Sequence, residues 1–444
     1  MREALAAAPA GPYAAAAMLT PLPRTRDPLT WCMAIAVVFL IVCLHRLGIP
    51  NKIYFDEVHY VKAARKMLLG LPANREHPML GKEAIAAAMA LLGDRPWSWR
   101  IPSVLFGALG LHAYGRFVWY LTGRRAVTIM AMVLMATNFV WLVLSRIAML
   151  DMVQAGLGMV ALWQVTAAFR EPRRHARLRL IAGGLAMGLS LGAKWSIAPI
   201  LVLPGLTFVA LRVRETGWRI IGRKGAGPIP GISLVEAALW LGLVPLAVYW
   251  LTYFPGFFWA HKPIDPLGFI EHHRYMLKLQ DSVTKLHPYR SVWYMWMVDW
   301  RPIWFLYQVT DGAQRGIILL GNPVSMIAGL PALAWCLWAG IKQARWEALA
   351  LVVLYAMTLG IWAINGKPIQ FYYHYLLPAA FLAAALALAL EALWQRRDRW
   401  RWLTPAILAA SVGIFVYFYP IISAGALHHG KKSYAQWMWL DSWR

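Results

Sequence analysis

Residues 126–169 read AVTIMAMVLMATNFVWLVLSRIAMLDMVQAGLGMVALWQVTAAF. A hydrocarbon layer ~30 Å thick is crossed by about 20 apolar residues in a helix. That length occurs twice here, at 126–144 and 148–169, joined by a link so short that the chain must reverse. Arg124 and Arg125 precede the pair and Arg170, Arg173 and Arg174 follow it, whereas the link carries Arg146 alone. Lys and Arg accumulate in short cytoplasmic loops. The turn at Arg146 is therefore expected on the outer side.

The same ruler, moved in both directions, predicts eleven spans: 31–48, 101–121, 126–144, 148–169, 179–193, 196–212, 232–252, 317–340, 346–364, 371–392 and 402–424. With a cytoplasmic N-terminus, every inside segment is rich in Lys and Arg. The short outer turns hold one cation each, Arg146, Lys194 and Lys367. Residues 1–30 lack a cleavable signal pattern and read as a disordered cytoplasmic tail. Residues 31–424 form one transmembrane domain with long outer loops at 49–100 and 253–316, and 425–444 are an outer tail. Within the first loop, 83–92 (EAIAAAMALL) suit a short interfacial helix.

Composition agrees with this. Of 444 residues, 60% are hydrophobic and 14% charged, with mean hydropathy +0.51, whereas soluble domains carry about 25% charged residues. A disordered chain, a soluble enzyme and a disulfide scaffold are excluded. The net charge of +24 lies in clusters between apolar runs, without a recognition helix or RNA-binding motif, so nucleic acid is not expected as a partner. Cys32, Cys43 and Cys336 lie in apolar stretches and read as packing residues.

Ionisable groups beside a bilayer are costly to keep. Here they gather on the outer side: Asp56, Glu57 and His59 in YFDEVHY, Glu76, His77 and Lys82 in REHPMLGK, Arg100 in SWRIPS, Arg146 and Asp151 in SRIAMLD, Lys194 in GAKWS and His374 in FYYHYLLP. Helices that alternate in direction bring such segments to one membrane face. A carboxylate there accepts a proton from an attacking hydroxyl, while Arg and Lys stabilise charge developing on a leaving phosphate. Group transfer from a lipid-phosphate donor follows, its tail remaining in the bilayer.

FDEVHY, HPMLGK, WRIPSVLFG, SRIAMLD, GLSLGAKWS and YHYLLP, in that order between residues 54 and 378, resemble the motifs of the protein O-mannosyltransferase family. The resemblance implies an all-α polytopic glycosyltransferase of the GT-C type with eleven transmembrane helices. It implies inverting transfer of mannose from a polyprenyl phosphate to Ser or Thr of exported proteins, on the periplasmic side of a bacterial inner membrane. It implies Asp56 as catalytic base, Glu57 as its neighbour holding acceptor or donor, and Arg100 and Lys194 as ligands of the donor phosphate. The chain departs from the family where Met79 follows Pro78, since members commonly have two prolines there. Residues 253–316 are also too short for the β-trefoil insert of eukaryotic members, so a bacterial-type member is implied.

Plainer readings stand beside these. Arg146 and Asp151 suit a structural ion pair as well as a site role, with Arg146 then a further phosphate ligand. His77 and Lys82 serve equally as anchors of the interfacial helix, and His374 as part of an aromatic belt with Tyr372, Tyr373 and Tyr375. His272 and His273 beside Glu271, like His428 and His429, read as surface residues; no metal site and no cofactor are expected, and a divalent metal requirement is left open. Trp259, Trp293, Trp296, Trp300 and Trp304 suit interface anchors as well as a sugar platform. A transferase acting on a lipid or glycan acceptor, like the enzymes that add aminoarabinose to lipid A, is the alternative. A transporter is the remote one, since no inverted repeat is present.

Overall fold

The computed structural model describes residues 21–217, 220–221, 228–229, 231–282, 287–367, 369–428 and 430–444. The Ala-rich tail to residue 20, Arg219, Arg223, Lys224 and His429 lie outside these. Each of the eleven expected spans overlaps helix. In chain order the helices are α1 (Leu29–Leu44), α2 (Glu57–Leu68), α3 (Leu80–Leu92), α4 (Pro96–Thr122), α5 (Arg125–Ala136), α6 (Phe139–Leu144), α7 (Leu150–Ala168) and α8 (Arg173–Ala193). They continue with α9 (Trp195–Thr216), α10 (Leu234–Leu251), α11 (Phe269–Asp281), α12 (Pro323–Lys342), α13 (Trp346–Ile364), α14 (Leu376–Trp394) and α15 (Leu403–Ile422).

Among the described residues, six helices are long and apolar enough to cross a membrane by length and composition. The apolar helices α1 and α5 are shorter than a full span, and others in the bundle carry polar groups in its interior. Nearly every residue of α7 is buried, so it carries Asp151, Gln154 and Gln164 without presenting them to lipid. Two expected spans are interrupted for local reasons. Asn138 ends α5 and caps α6, its Oδ1 accepting from the N–H groups of Val140 and Trp141 at 3.0 and 3.3 Å. Within α10, Pro245 has no N–H and its ring crowds the preceding turn, and the helix widens to a π turn over Leu239–Leu243.

The fold is not wholly helical. Strands β1 (Ile303–Thr310) and β2 (Ala313–Leu319) form an antiparallel hairpin ahead of α12. Its turn residues Asp311 and Gly312 have φ of +49° and +74°. Two consecutive positive φ values match the right-handed twist of the flanking strands, which is why Asp-Gly favours such turns. The expected span 317–340 therefore starts only at Pro323.

The α4–α7 contact is the most extensive in the bundle and brings Arg100 and Asp151, near the helix starts, to the same end. Its closeness depends on glycine. A Cβ on Gly156 would lie 2.4 Å from the Phe106 carbonyl oxygen, and one on Gly110 would lie 2.8 Å from the Gly156 Cα. Small residues let helix backbones approach in this way. Gly156→Ala is expected to lose ~1 to 3 kcal/mol through overpacking, visible as a lower unfolding temperature of the detergent-purified protein.

Candidate active site

The site begins with a buried ion pair. Arg100 and Glu57 are both 0% exposed, and the guanidinium meets the carboxylate at two points, Nε to Oε1 at 2.7 Å and a terminal nitrogen to Oε2 at 3.0 Å. The other Arg100 hydrogens go to the carbonyl oxygens of Leu47, Pro50 and Lys52, at 2.9, 3.0 and 2.9 Å. Glu57 also accepts from the N–H groups of Tyr54 and Ala148, at 3.2 and 3.1 Å. An arginine has five N–H donors, and all of them are occupied. The pair ties the 47–57 loop to the start of α4 and to the link before α7.

The donors through which Arg100 was expected to hold the donor phosphate are thus engaged within the protein. The terminal nitrogens of Arg146 are engaged as well. The Arg146 guanidinium, 6% exposed, donates to the carbonyls of Cys43, His45 and Val42, where α1 ends. The last carbonyls of a helix have no partner within it, and a cation placed there satisfies them and suits the helix dipole. The Arg146–Asp151 ion pair, one of the two readings of these residues, is not formed. Asp151 Oδ1 instead meets Lys194 Nζ at 2.8 Å, both groups being buried.

Asp56 sits at the N-cap of α2, yet its side chain makes no capping bond. Its carboxylate has electrostatic neighbours, among them His59, Lys194, Asp151, Lys367, Tyr60 and Tyr373, and no hydrogen-bond donor among the described residues. Burial pushes its pKa up to about 6. The preceding residue, Phe55, holds φ at +48°, a conformation in which a non-glycine Cβ crowds its own backbone. Asp56 itself has φ and ψ of −70° and −7°, helical values in place of the extended backbone from which a side chain caps.

Around this carboxylate several of the segments expected on the outer side converge. His77 feels Lys194, Lys82 and Lys367, and burial first, then these cations, keep it neutral. Lys194 Nζ lies 5.2 Å above the Tyr373 ring. His374 stacks on Trp362 at 3.6 Å between ring centroids and accepts from the Phe371 N–H at 3.2 Å. Asp151, Gln154, Ser196, Trp362, Tyr373 and His374 line one small cavity. Lys82 is buried beside His77. Its ammonium holds the carbonyls of Asn74 and His77, the latter at 2.7 Å, and burial lowers its pKa to about 7. It fastens the loop before α3. No three His, Cys, Asp or Glu side chains among the described residues gather as metal ligands do.

Lys367 was legible only as the lone cation of its outer turn. The structure brings it within electrostatic reach of Asp56, Asp151, Glu76 and Lys194, and burial lowers its pKa. No acidic group among the described residues forms an ion pair with it.

Two surface readings are corrected. His272 is 7% exposed, and His273 stacks on Trp195 at 5.4 Å, with Nε2 2.6 Å from the Tyr249 hydroxyl. The tyrosines of the last motif are not a lipid-facing belt. Tyr372 bonds Asp299 and receives the Gly321 N–H at 2.9 Å, and Tyr375 meets the Tyr355 hydroxyl at 2.8 Å. The outer-loop tryptophans form no single platform: Trp296 is fully buried, Trp259 packs under Arg75, and Trp304 borders a separate cavity of about 180 Å³ with Tyr289, Tyr307 and Tyr434.

Comparison with known proteins agrees with the fold and its extent. The family model described as dolichyl-phosphate-mannose-protein mannosyltransferase matches residues 33–100 and 93–260. A second, for the C-terminal four-transmembrane region of protein O-mannosyltransferase, matches 267–443. The chain is 26% identical to the polyprenol-phosphate-mannose–protein mannosyltransferase of Corynebacterium glutamicum, over 94% of each chain. It is 24% identical to the protein of that name from Mycobacterium tuberculosis, over 98% of this chain and 95% of the other. In fold it is similar to the Saccharomyces cerevisiae protein O-mannosyltransferase Pmt1-Pmt2 complex bound to the sugar donor, with TM-score 0.78, 15% identity, and 97% of this chain and 94% of that chain covered. ArnT from Cupriavidus metallidurans bound to undecaprenyl phosphate is a more distant match, with TM-score 0.53, 15% identity and coverage of 89% and 77%. With family models matched from residue 33 to 443, the chain belongs to the dolichyl-phosphate-mannose–protein mannosyltransferase family.

Proposed function

We propose that this protein transfers mannose from a polyprenyl-phosphate donor to Ser or Thr hydroxyls of exported proteins, at the outer rim of a bacterial inner membrane. The observation that carries the reading is the Asp56 carboxylate. It has no hydrogen-bond donor among the described residues, carries a raised pKa, and lies within electrostatic reach of Lys194 and Lys367. Family membership supports the donor and the reaction. The arginines at the other end of the bundle, with Arg124 on Glu391 and Arg170 on the Tyr120 carbonyl, support a cytoplasmic assignment for that end.

In this reading the acceptor oxygen attacks the anomeric carbon while its proton passes to Asp56. The bond between that carbon and the phosphate oxygen breaks on the opposite face, its electrons remaining with the phosphate, and the sugar inverts. A phosphate is already a good leaving group, so one base suffices where a glycosidase has two carboxyl groups. The phosphate gains negative charge as it departs. Lys194 has given one of its three donors to Asp151, leaving two for the phosphate, and Lys367 supplies a second cation. Arg100, Arg146 and Lys82 then act as positioning residues that shape the loops. Glu57 likewise acts through the backbone, without touching acceptor or donor.

Four outcomes are expected of the purified protein with polyprenyl-phosphate mannose and acceptor peptide. Asp56→Asn abolishes turnover while donor binding persists; near-normal turnover would sink the base assignment, and label recovered in lipid instead of peptide would sink the acceptor. For the wild type, Asp56 is neutral below its pKa and becomes a base above it, so kcat/KM rises with pH through about 6 and then levels. Lys367→Ala lowers kcat/KM about ten- to a hundredfold in folded protein, whereas Arg100→Ala lowers the yield of folded protein by stranding a buried carboxylate; an Arg100→Ala protein of parental stability and weakened donor affinity would return the phosphate to Arg100.

A further inference from the structure

The outer hairpin touches the catalytic loop at two places. The Asn51 N–H donates to Asp311 Oδ2 at the hairpin turn, at 3.0 Å. Deeper in, the Phe305 ring lies parallel to that of Phe55, with centroids 4.0 Å apart and planes 17° from each other. The strand is irregular there. Trp304 pairs with Ile318 and Leu306 with Ile317, so Phe305 is the extra residue of a β-bulge. A bulge re-aims the side chain it carries. Without it, continued alternation would place Trp304 and Tyr307 on opposite faces, whereas their rings meet at 5.2 Å.

Phe55 is the residue with φ of +48° immediately before Asp56. Its ring also meets Tyr373 edge-on at 6.2 Å, and Tyr373 faces Lys194. Phe305, Phe55, Tyr373 and Lys194 thus form a continuous line from the hairpin, past the base, to a phosphate-side cation. The hairpin is itself braced. Arg315 donates to the Ala424 carbonyl at 2.8 Å, and the Leu427 N–H donates to the Gln314 carbonyl at 2.9 Å.

We propose that Phe305 is a positioning residue for the transfer reaction: by stacking on Phe55 it holds that residue in the left-handed conformation that points Asp56 at the acceptor. The role rests on Asp56 being the base. It differs from ordinary core packing in what it does to the backbone. An L-residue with a Cβ leaves the left-handed region unless its surroundings hold it there, whereas glycine occupies that region freely.

The test measures kcat and KM for donor and acceptor on the full-length protein, with circular dichroism and gel filtration as folding controls. Phe305→Ala is expected to lower kcat about tenfold, within the range the left-handed penalty allows, with both KM values within about twofold of the parent. Phe305→Tyr, which keeps the ring plane, retains kcat. The decisive variant is Phe55→Gly in the Phe305→Ala background. If the stack acts through the backbone, glycine restores most of the lost kcat, although it removes still more packing. A double variant no better than Phe305→Ala alone, or a Phe305→Ala protein at parental kcat, would overturn the proposal. Should Phe305→Ala not yield folded protein, Phe305→Leu, which keeps apolar volume and loses the ring plane, carries the same comparison. An inactive Asp56→Asn beside an unaffected Phe305→Ala refutes this role alone, whereas an active Asp56→Asn refutes the base itself.

Discussion

The buried contact between Glu57 and Arg100 is the constraint from which the rest of the site follows. Removing a carboxylate and a guanidinium from water is expensive, and the cost is offset only when the geometry is good and every remaining donor and acceptor is satisfied. That condition holds here. Arg100 gathers three carbonyls of the 47–52 segment beside its two bonds to Glu57, and Glu57 adds two backbone N–H groups. The result is a loop pinned at residues 47–52 and at Glu57 by one side chain from α4. Asp56 lies between that pin and Phe55, whose ring rests on Phe305.

The same accounting sorts the cations. Arginine at a membrane rim invites a phosphate-binding interpretation, because its fork matches phosphate oxygens. The fork equally matches backbone carbonyls that a bending chain leaves exposed. Arg100 and Arg146 both take the second role, one in an irregular loop and one at the end of α1. Lysine has fewer donors on a longer, flexible stem. Lys194 stays partly free even while paired to Asp151, and Lys367 has no ion-pair partner among the described residues. In a partly desolvated site such cations act more strongly on a departing phosphate than they would in water.

Much of the fold was legible because spans and charge asymmetry are local signals. Each apolar run stands out against its flanks, and the lone cations of the outer turns mark one face. The hairpin at 303–319 was also locally coded, by an Asp-Gly pair between two β-branched and aromatic runs, but the apolar 317–340 window drew the last three residues of its second strand into a span. His272 and His273 were misread for a different reason. Nothing adjacent in sequence indicates that α11 folds onto Tyr249 and Trp195, so two polar residues on a charged helix look solvated until the tertiary contact is seen. The tyrosines of the FYYHY segment were misplaced likewise, because an interfacial belt and a buried hydroxyl network have the same composition.

By itself the sequence determined the class of molecule, the positions of its apolar spans, the side on which its ionisable groups gather and the set of residues from which a base and phosphate ligands are drawn. These follow from hydrophobic length and charge placement, which act residue by residue. The tertiary structure alone decided which members of that set remain available: Asp56 without a hydrogen-bond donor and Glu57 paired, Lys194 and Lys367 near Asp56, Arg100 and Arg146 bound to backbone carbonyls. Availability depends on whether backbone carbonyls from distant segments lie within ~3 Å of a guanidinium, and that distance exists only once the chain has folded.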